Sequence, residues 1–248
     1  MMRAFRTMFV TEMKLVIRGM DMVIFGIIMP LAVMVILGIV YGEKPAFEGA
    51  DYSFFSQSFG AFTAIAICAC GVMGLPLIVA DYRNRKILKR YKVTPVSPLL
   101  LLFVHVMVYT VISLISLVLL FLCGRIFFGL QLMGKWYLFL GAYLLVLLSM
   151  FSLGMLVGAV SPNIKTSNLL CSLLYFPMLI FSGTTLPYEI MPKGLQLVAD
   201  VMPLTQGIKL LKAASLGLPA GDVRLPLLVM FGLAAVCIAA AIRFFRWE

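Results

Sequence analysis

The sequence predicts an all-α membrane protein with six transmembrane helices. Of its 248 residues 63% are hydrophobic and only 12% charged, and mean hydropathy is +1.10. A soluble domain is about 45–50% apolar and about 25% charged, and disorder needs the opposite balance. One hydrophobic span takes about 20 residues, so a chain of 248 residues holds several spans and little else. Residues 1–248 read as one transmembrane domain.

Residues 2–19 come first. Phe5, Met8, Phe9, Met13, Val16 and Ile17 recur at helical spacing with Arg3, Arg6, Lys14 and Arg18 among them, the pattern of a basic amphipathic helix on a membrane surface. The first span follows at about 22–40 and contains Pro30. It is too long for the apolar region of a cleaved signal peptide and reads as a retained span. The second, at about 55–80, contains Gly71, Gly74 and Pro76, which predict a kink or broken end. A third runs from about 99 to 123 and a fourth from about 136 to 160. Ser161-Pro162-Asn163 turns the chain into a fifth at about 167–183. Residues 184–222 are broken by Pro187, Pro192, Pro203 and Pro219, and are too polar to span yet too apolar for a free loop. Short interfacial or re-entrant helices suit them, with Leu195 and Leu197 on an apolar face. The sixth span is about 225–242.

Lys and Arg in the loops set orientation. Of the 20, 13 lie in residues 1–21, 81–98, 161–166 and 243–248, and seven lie in the longer intervening loops, with most of the acids. This predicts a cell-membrane protein with both termini and the 81–98 loop cytoplasmic, and with the proline-broken segment outside. Trp136 and Trp247 fall at opposite membrane edges, as interfacial anchors do.

The chain has no phosphate-cradling Gly-x-x-x-x-Gly-Lys-Ser/Thr sequence and only one histidine, His105. These two observations argue against a resident nucleotide, a His-pair metal site and a His-activated nucleophile. The spans carry no charge at mid-depth, which speaks against intramembrane hydrolysis and against ion-coupled transport. The five cysteines lie in or beside apolar runs and read as small hydrophobes. No catalytic residue, metal or cofactor is expected in this chain, so the energy for transport must come from a partner.

The strongest signal is residues 81–98, where Asp81, Arg83, Arg85, Lys86, Lys89, Arg90 and Lys92 crowd the first twelve positions. On a helix over 81–92, Ile87 and Leu88 meet Tyr91, a small apolar surface rimmed by positives. Pro95 and Pro98 end it. Such a stretch is either a docking helix for a cytoplasmic partner or an ordinary positive-inside loop.

Leu88-Lys89-Arg90-Tyr91-Lys92-Val93-Thr94-Pro95-Val96-Ser97-Pro98 resembles the signature after the second span of type-2 ABC transporter permeases. So do Leu153-Gly154-Met155-Leu156-Val157-Gly158 followed by Ser161-Pro162-Asn163, and Phe176-Pro177-Met178 through Phe181-Ser182-Gly183 with Leu186-Pro187, Met191-Pro192 and Pro203-Leu204-Thr205. The matches run in family order over most of the chain. Lys86-Ile87 departs from the Gly-Thr pair that members often carry there. The resemblance implies a half-transporter: two permease chains form the pathway, as homodimer or heterodimer. Two cytoplasmic ATPase subunits, which bind the ATP and Mg, dock on the 81–92 helix. It assigns coupling to Asp81, Arg83, Arg85, Lys86, Leu88, Lys89, Arg90 and Tyr91. It implies an exporter, and the uncharged spans favour a hydrophobic or amphiphilic cargo such as a drug, peptide antibiotic or lipid-linked glycan. The alternatives from other classes are a membrane assembly or immunity protein that moves nothing, and an ion-coupled carrier.

His105, Tyr109, Ser113 and Ser116 fall within about 80° of one helix face. With Tyr175 they are the candidate substrate route, although a polar stripe can equally bond a neighbouring helix. Gly154 and Gly158 form a Gly-x-x-x-Gly, suited to close packing within the chain or at a dimer seam.

Overall fold

The computed structural model describes residues 2–41, 52–87, 98–182, 191–218 and 223–245. They are helical almost throughout, with no strand among them. Helix α1 is Met2–Gly19, α2 Asp21–Tyr41, α3 Phe54–Asn84, α4 Pro98–Phe128, α5 Trp136–Val160, α6 Ile164–Phe181, α7 Lys193–Val201, α8 Pro203–Leu216 and α9 Arg224–Phe244. Six of them (α2, α3, α4, α5, α6 and α9) are long and apolar enough to cross a membrane.

Helix α3 is the hub: 83% of its most apolar stretch is buried, against 22% in α2 and 28% in α9. Its composition explains this, because Gly60, Ala61, Ala64, Ala66, Ala69, Gly71 and Gly74 let neighbouring backbones approach closely. Helix α8 lies over its first half, α5 over its second, and α4 and α2 along the remaining side. At Gly60 a Cβ would stand 2.9 Å from the Lys212 backbone nitrogen. At Gly154 a Cβ would collide with the Gly71 carbonyl oxygen, and at Gly158 it would press on Pro76 and Val79. The Gly-x-x-x-Gly of α5 therefore packs against α3 of the same chain. Helix α9 covers the far side of α5, where Ser149 Oγ donates to the Met230 carbonyl at 2.8 Å.

Two π-helical turns interrupt the spans, Ile24–Ile28 in α2 and Ala69–Gly74 in α3. Each lies just before a proline, Pro30 and Pro76. A helix-interior proline has no N–H and its ring strikes the carbonyl four residues back, and the wider π turn accommodates both faults. The two wide turns meet, with Gly26 so close to Cys70 that a Cβ would lie 2.9 Å from its Sγ.

Chain reversals use ordinary caps. Ser53 Oγ accepts from Ser56 N at 3.2 Å at the start of α3, and Asn163 Oδ1 from Thr166 N at 2.9 Å at the start of α6. Gly217 ends α8 at φ 71°. The sequence placed the fifth span at 167–183, and the Asn163 cap starts α6 earlier, at Ile164. The second and third spans overrun their expected ends of 80 and 123, continuing to Asn84 and Phe128. A helix propagates its hydrogen-bond ladder past the apolar stretch until something stops it. In α3 that stop is Lys86, at φ 57°.

Candidate functional site

One end of the bundle gathers α1, the last turn of α3, the first turns of α4 and α6, and the last turn of α5. The single helix expected over 81–92 is not what the chain forms. Asp81 to Asn84 complete α3, Arg85 caps it, and Lys86 turns the backbone left-handed, which few side chains tolerate. Leu88, Lys89, Arg90 and Tyr91 lie outside the described residues. Arg85 Nε donates to Asp81 Oδ1 at 2.8 Å, an exposed i,i+4 pair.

Arg83 also departs from expectation. Rather than rimming an exposed surface it is 7% exposed, its guanidinium turned into the bundle. Nη1 donates to the Gly158 carbonyl at 3.0 Å and to the Ser161 carbonyl, and Nη2 reaches the Ala159 carbonyl at 3.5 Å. The same group lies 5.6 Å from the centre of the Phe245 ring. The last carbonyls of a helix have no partner within it and carry its negative dipole end. Arg83 supplies both the hydrogen bonds and the charge, so the base of the basic segment is fastened to the end of α5.

A second fastening joins α1 to α3. Glu12 is the one acid of α1 and lies on its inward face with Phe5, Met8 and Phe9. Tyr82 donates its hydroxyl to the carboxylate, with Oε1 at 2.8 Å and Oε2 at 2.9 Å. The ring of His105 packs edge-on against Tyr82 at 4.9 Å between centres, and its Nε2 stands 4.0 Å from Glu12 Oε2. Neither ring nitrogen of His105 has a hydrogen-bond partner among the described residues. Burial pushes the Glu12 carboxyl above the usual carboxylate range, and the Tyr82 hydroxyl draws it part of the way back. Beside this cluster a cleft of about 780 Å3 opens between α1, α2, α3 and α6.

The four polar residues of the α4 stripe have different surroundings. His105, Tyr109, Ser113 and Ser116 are all buried. Ser113 Oγ and the Tyr143 hydroxyl are 2.6 Å apart, a bond from α4 to α5. Ser116 Oγ has no partner among the described residues. Tyr109 alone of the four lines the cleft. Tyr175 faces another way, its hydroxyl 3.8 Å from Met29 Sδ of α2. At the opposite end, Pro192 precedes α7 and Pro203 opens α8, as their fixed φ favours. Leu195 and Leu197 are exposed, Leu197 by 71%, and Ala199 is the residue α7 buries. The apolar face expected on this short helix is thus left uncovered by the described residues. Pro187 lies outside the described residues. Lys209 Nζ, 2.6 Å from Asp200 Oδ1, and Gln206 Nε2, 2.8 Å from the Asp200 carbonyl, hold α7 to α8.

Sequence reasoning missed Glu12 and Tyr82, although Glu12 stands seven residues after Phe5 and so on the same helix face. Among the described residues no group of three or more His, Cys, Asp or Glu could hold a metal ion.

The geometry can be set beside known proteins. The family model described as ABC-2 type transporter matches residues 3–216. "Putative transport permease YvfS" of Bacillus subtilis (strain 168) is 24% identical over 201 residues, 78% of each chain. Nodulation protein J of Neorhizobium galegae is 34% identical over 98 residues, 40% of this chain and 35% of that protein. Its namesake in Sinorhizobium fredii (strain NBRC 101917 / NGR234) is 33% identical over 94 residues, 38% of this chain and 34% of that protein. The similarity thus spans about a third of the nodulation proteins' length and 78% of YvfS. With six apolar helices of spanning length and a family model matched across most of its residues, this chain belongs to the ABC-2 type transporter family of multi-pass membrane permeases.

Proposed function

We propose that this chain is the transmembrane subunit of an ATP-driven exporter, a single domain over 1–248 that forms the substrate pathway with a second permease chain. Cytoplasmic ATPase subunits bind the ATP and Mg, and they dock on the basic segment 81–98. Both termini lie in the cytoplasm of a cell-membrane protein. Helix α1 rests at the inner membrane face, and α7 and α8 are re-entrant at the outer one. The cargo is hydrophobic or amphiphilic, since the spans offer a polar solute little to bind. A chain similar to proteins named transport permease and nodulation protein J fits that role.

The observation that carries this reading is how the root of the basic segment is tied in. Arg83 fastens it to the end of α5, and Tyr82 fastens it to Glu12 of α1. A pull on residues 85–92 is thereby passed to three elements at once, as a coupling segment requires. Positive charge would guide the ATPase, and the apolar side chains would seat it.

Substrate-stimulated ATPase activity of the purified complex tests this, with subunit stoichiometry from gel filtration. Leu88→Ala/Tyr91→Ala should lower stimulation at least fivefold or shed the ATPase, while membrane insertion persists because the topogenic charges remain. Unchanged stimulation and stoichiometry would leave the segment a plain positive-inside loop.

A further inference from the structure

The cleft between α1, α2, α3 and α6 has a charge arrangement that selects a ligand. Its volume of about 780 Å3 lies within the range of small-molecule sites, roughly 300–1,000 Å3. The walls are apolar, soft and aromatic, among them Met22, Phe25, Met73, Leu77 and Tyr109. Three carboxylates line it, Glu12 from α1, the exposed Asp21 from the first turn of α2 and Asp81 from the last turn of α3. Of the basic groups, the Arg85 side chain is 69% exposed and pinned to Asp81, Lys165 is exposed, and the buried His105 stands with Nε2 4.0 Å from Glu12 Oε2 and no hydrogen bond to it. The charge within the apolar part is therefore Glu12, 8% exposed. Tyr82 offers one hydroxyl hydrogen to both Glu12 oxygens, so the carboxylate keeps acceptor capacity.

A carboxylate in an apolar wall is costly unless a positive group answers it. Among the described residues no group of three or more His, Cys, Asp or Glu gives a metal ion its ligands, and a hydrated inorganic cation would gain nothing from Phe25 and the methionines. An anionic headgroup would meet Glu12 and Asp21 at close range. An apolar body bearing a delocalised or substituted ammonium charge satisfies both the walls and the acids, and aromatic faces favour such cations further.

We propose that this cleft binds lipophilic organic cations, with Glu12 as the principal counter-charge and Asp21 as the second. The proposal rests on the transport reading above and deepens it by naming a cargo class, but its test needs no ATPase.

Tetraphenylphosphonium and tetraphenylborate share size and shape and differ in the sign of their charge. Each is titrated by equilibrium dialysis against the purified chain in a neutral maltoside detergent, with protein-free micelles as blank. Tetraphenylphosphonium should bind saturably, at one site per chain, and at least tenfold more tightly than tetraphenylborate. Glu12→Gln, which still accepts the Tyr82 hydroxyl, should cost tenfold or more in cation affinity, and Asp21→Asn about threefold. Met73→Trp fills the cleft without changing charge and should abolish binding of both ions, with an unchanged elution profile as proof of fold. If Glu12→Gln does not fold, Asp21→Asn and Met73→Trp decide. Equal binding of the two ions, unsaturable binding, or indifference to Met73→Trp would each overturn the site. Cation binding without ATP-driven export would sink the transport reading alone, and export of another cargo without cation binding would sink the site alone.

Discussion

Arg83 in the last turn of α3 and Arg85 at its C-cap are two positions apart, which on helical geometry turns them about 200° from each other. That angle puts one in the bundle and the other in water. Charge counting alone treats them alike, and so the sequence made both part of a docking surface. What separates them is the neighbour: the carbonyls of Gly158, Ala159 and Ser161 at the end of α5 need donors, and only Arg83 faces them. Glu12 went unnoticed for the converse reason, since one acid on an apolar face looks like noise until Tyr82 is found opposite it. Arg83→Met would keep most of the side chain's bulk and leave those carbonyls unpaired and partly buried. Losing charge-assisted bonds to a buried group costs about 2–3 kcal/mol, so thermal unfolding in detergent should shift down clearly. Arg83→Lys should recover part of the loss, because a lysine keeps the charge but lacks the planar fork. Equal melting of Arg83→Met and the unaltered chain would show that water replaces the guanidinium.

At the scale of elements, the close approach of α5 to the widened turn of α3 organises the bundle. Gly154 has no room for a side chain, because the obstacle is the backbone carbonyl of Gly71 and not the movable tip of a side chain. Overpacking costs typically about 1–3 kcal/mol where neighbours can yield, so Gly154→Val should fall at the upper end or fail to assemble. Gly141→Ala and Gly232→Ala are the matched controls, since nothing lies within 4 Å of a Cβ at either position. Both should melt at or above the unaltered temperature, because alanine favours helix over glycine by about 1 kcal/mol. Comparable losses at Gly141 and Gly154 would remove the packing explanation. Spans were legible because twenty apolar residues in a row have no other use, and an irregularity near Pro76, realised as the π-helical turn Ala69–Gly74, was legible because proline breaks the ladder. Helix ends were less so: hydropathy marks the lipid zone, whereas Asp81 to Asn84 prolong α3 beyond it until Lys86 stops the helix. The apolar face of α7 was legible in Leu195 and Leu197, but not what covers it, since the described residues leave both exposed.

For the whole molecule, the two ends of the bundle differ in kind. Arg83, Arg85, Lys86 and Lys165 gather at the end where α1 crosses α4, whereas α7 and α8 lie at the other with Asp200 paired to Lys209. In the sequence, 13 of the 20 basic residues fall in residues 1–21, 81–98, 161–166 and 243–248, and basic loops stay on the cytoplasmic side during insertion. A single cysteine at Arg85 and another at Lys193 would report the two ends, because α7 begins at Lys193 and the Arg85 side chain is 69% exposed. The native thiols make a quiet background: Cys68, Cys70, Cys171 and Cys237 are buried and Cys123 is partly so, all within helices of spanning length. An impermeant maleimide reacts with a hydrated thiolate, which a thiol in an apolar surrounding does not form. In intact cells Lys193→Cys should label and Arg85→Cys should not, and after the membrane is opened both should. Labelling of Arg85→Cys alone in intact cells would invert the orientation and place the basic segment where no cytoplasmic ATPase could reach it. Labelling of both would mean a mixed population, in which case adding arginines near residue 85 should restore a single topology.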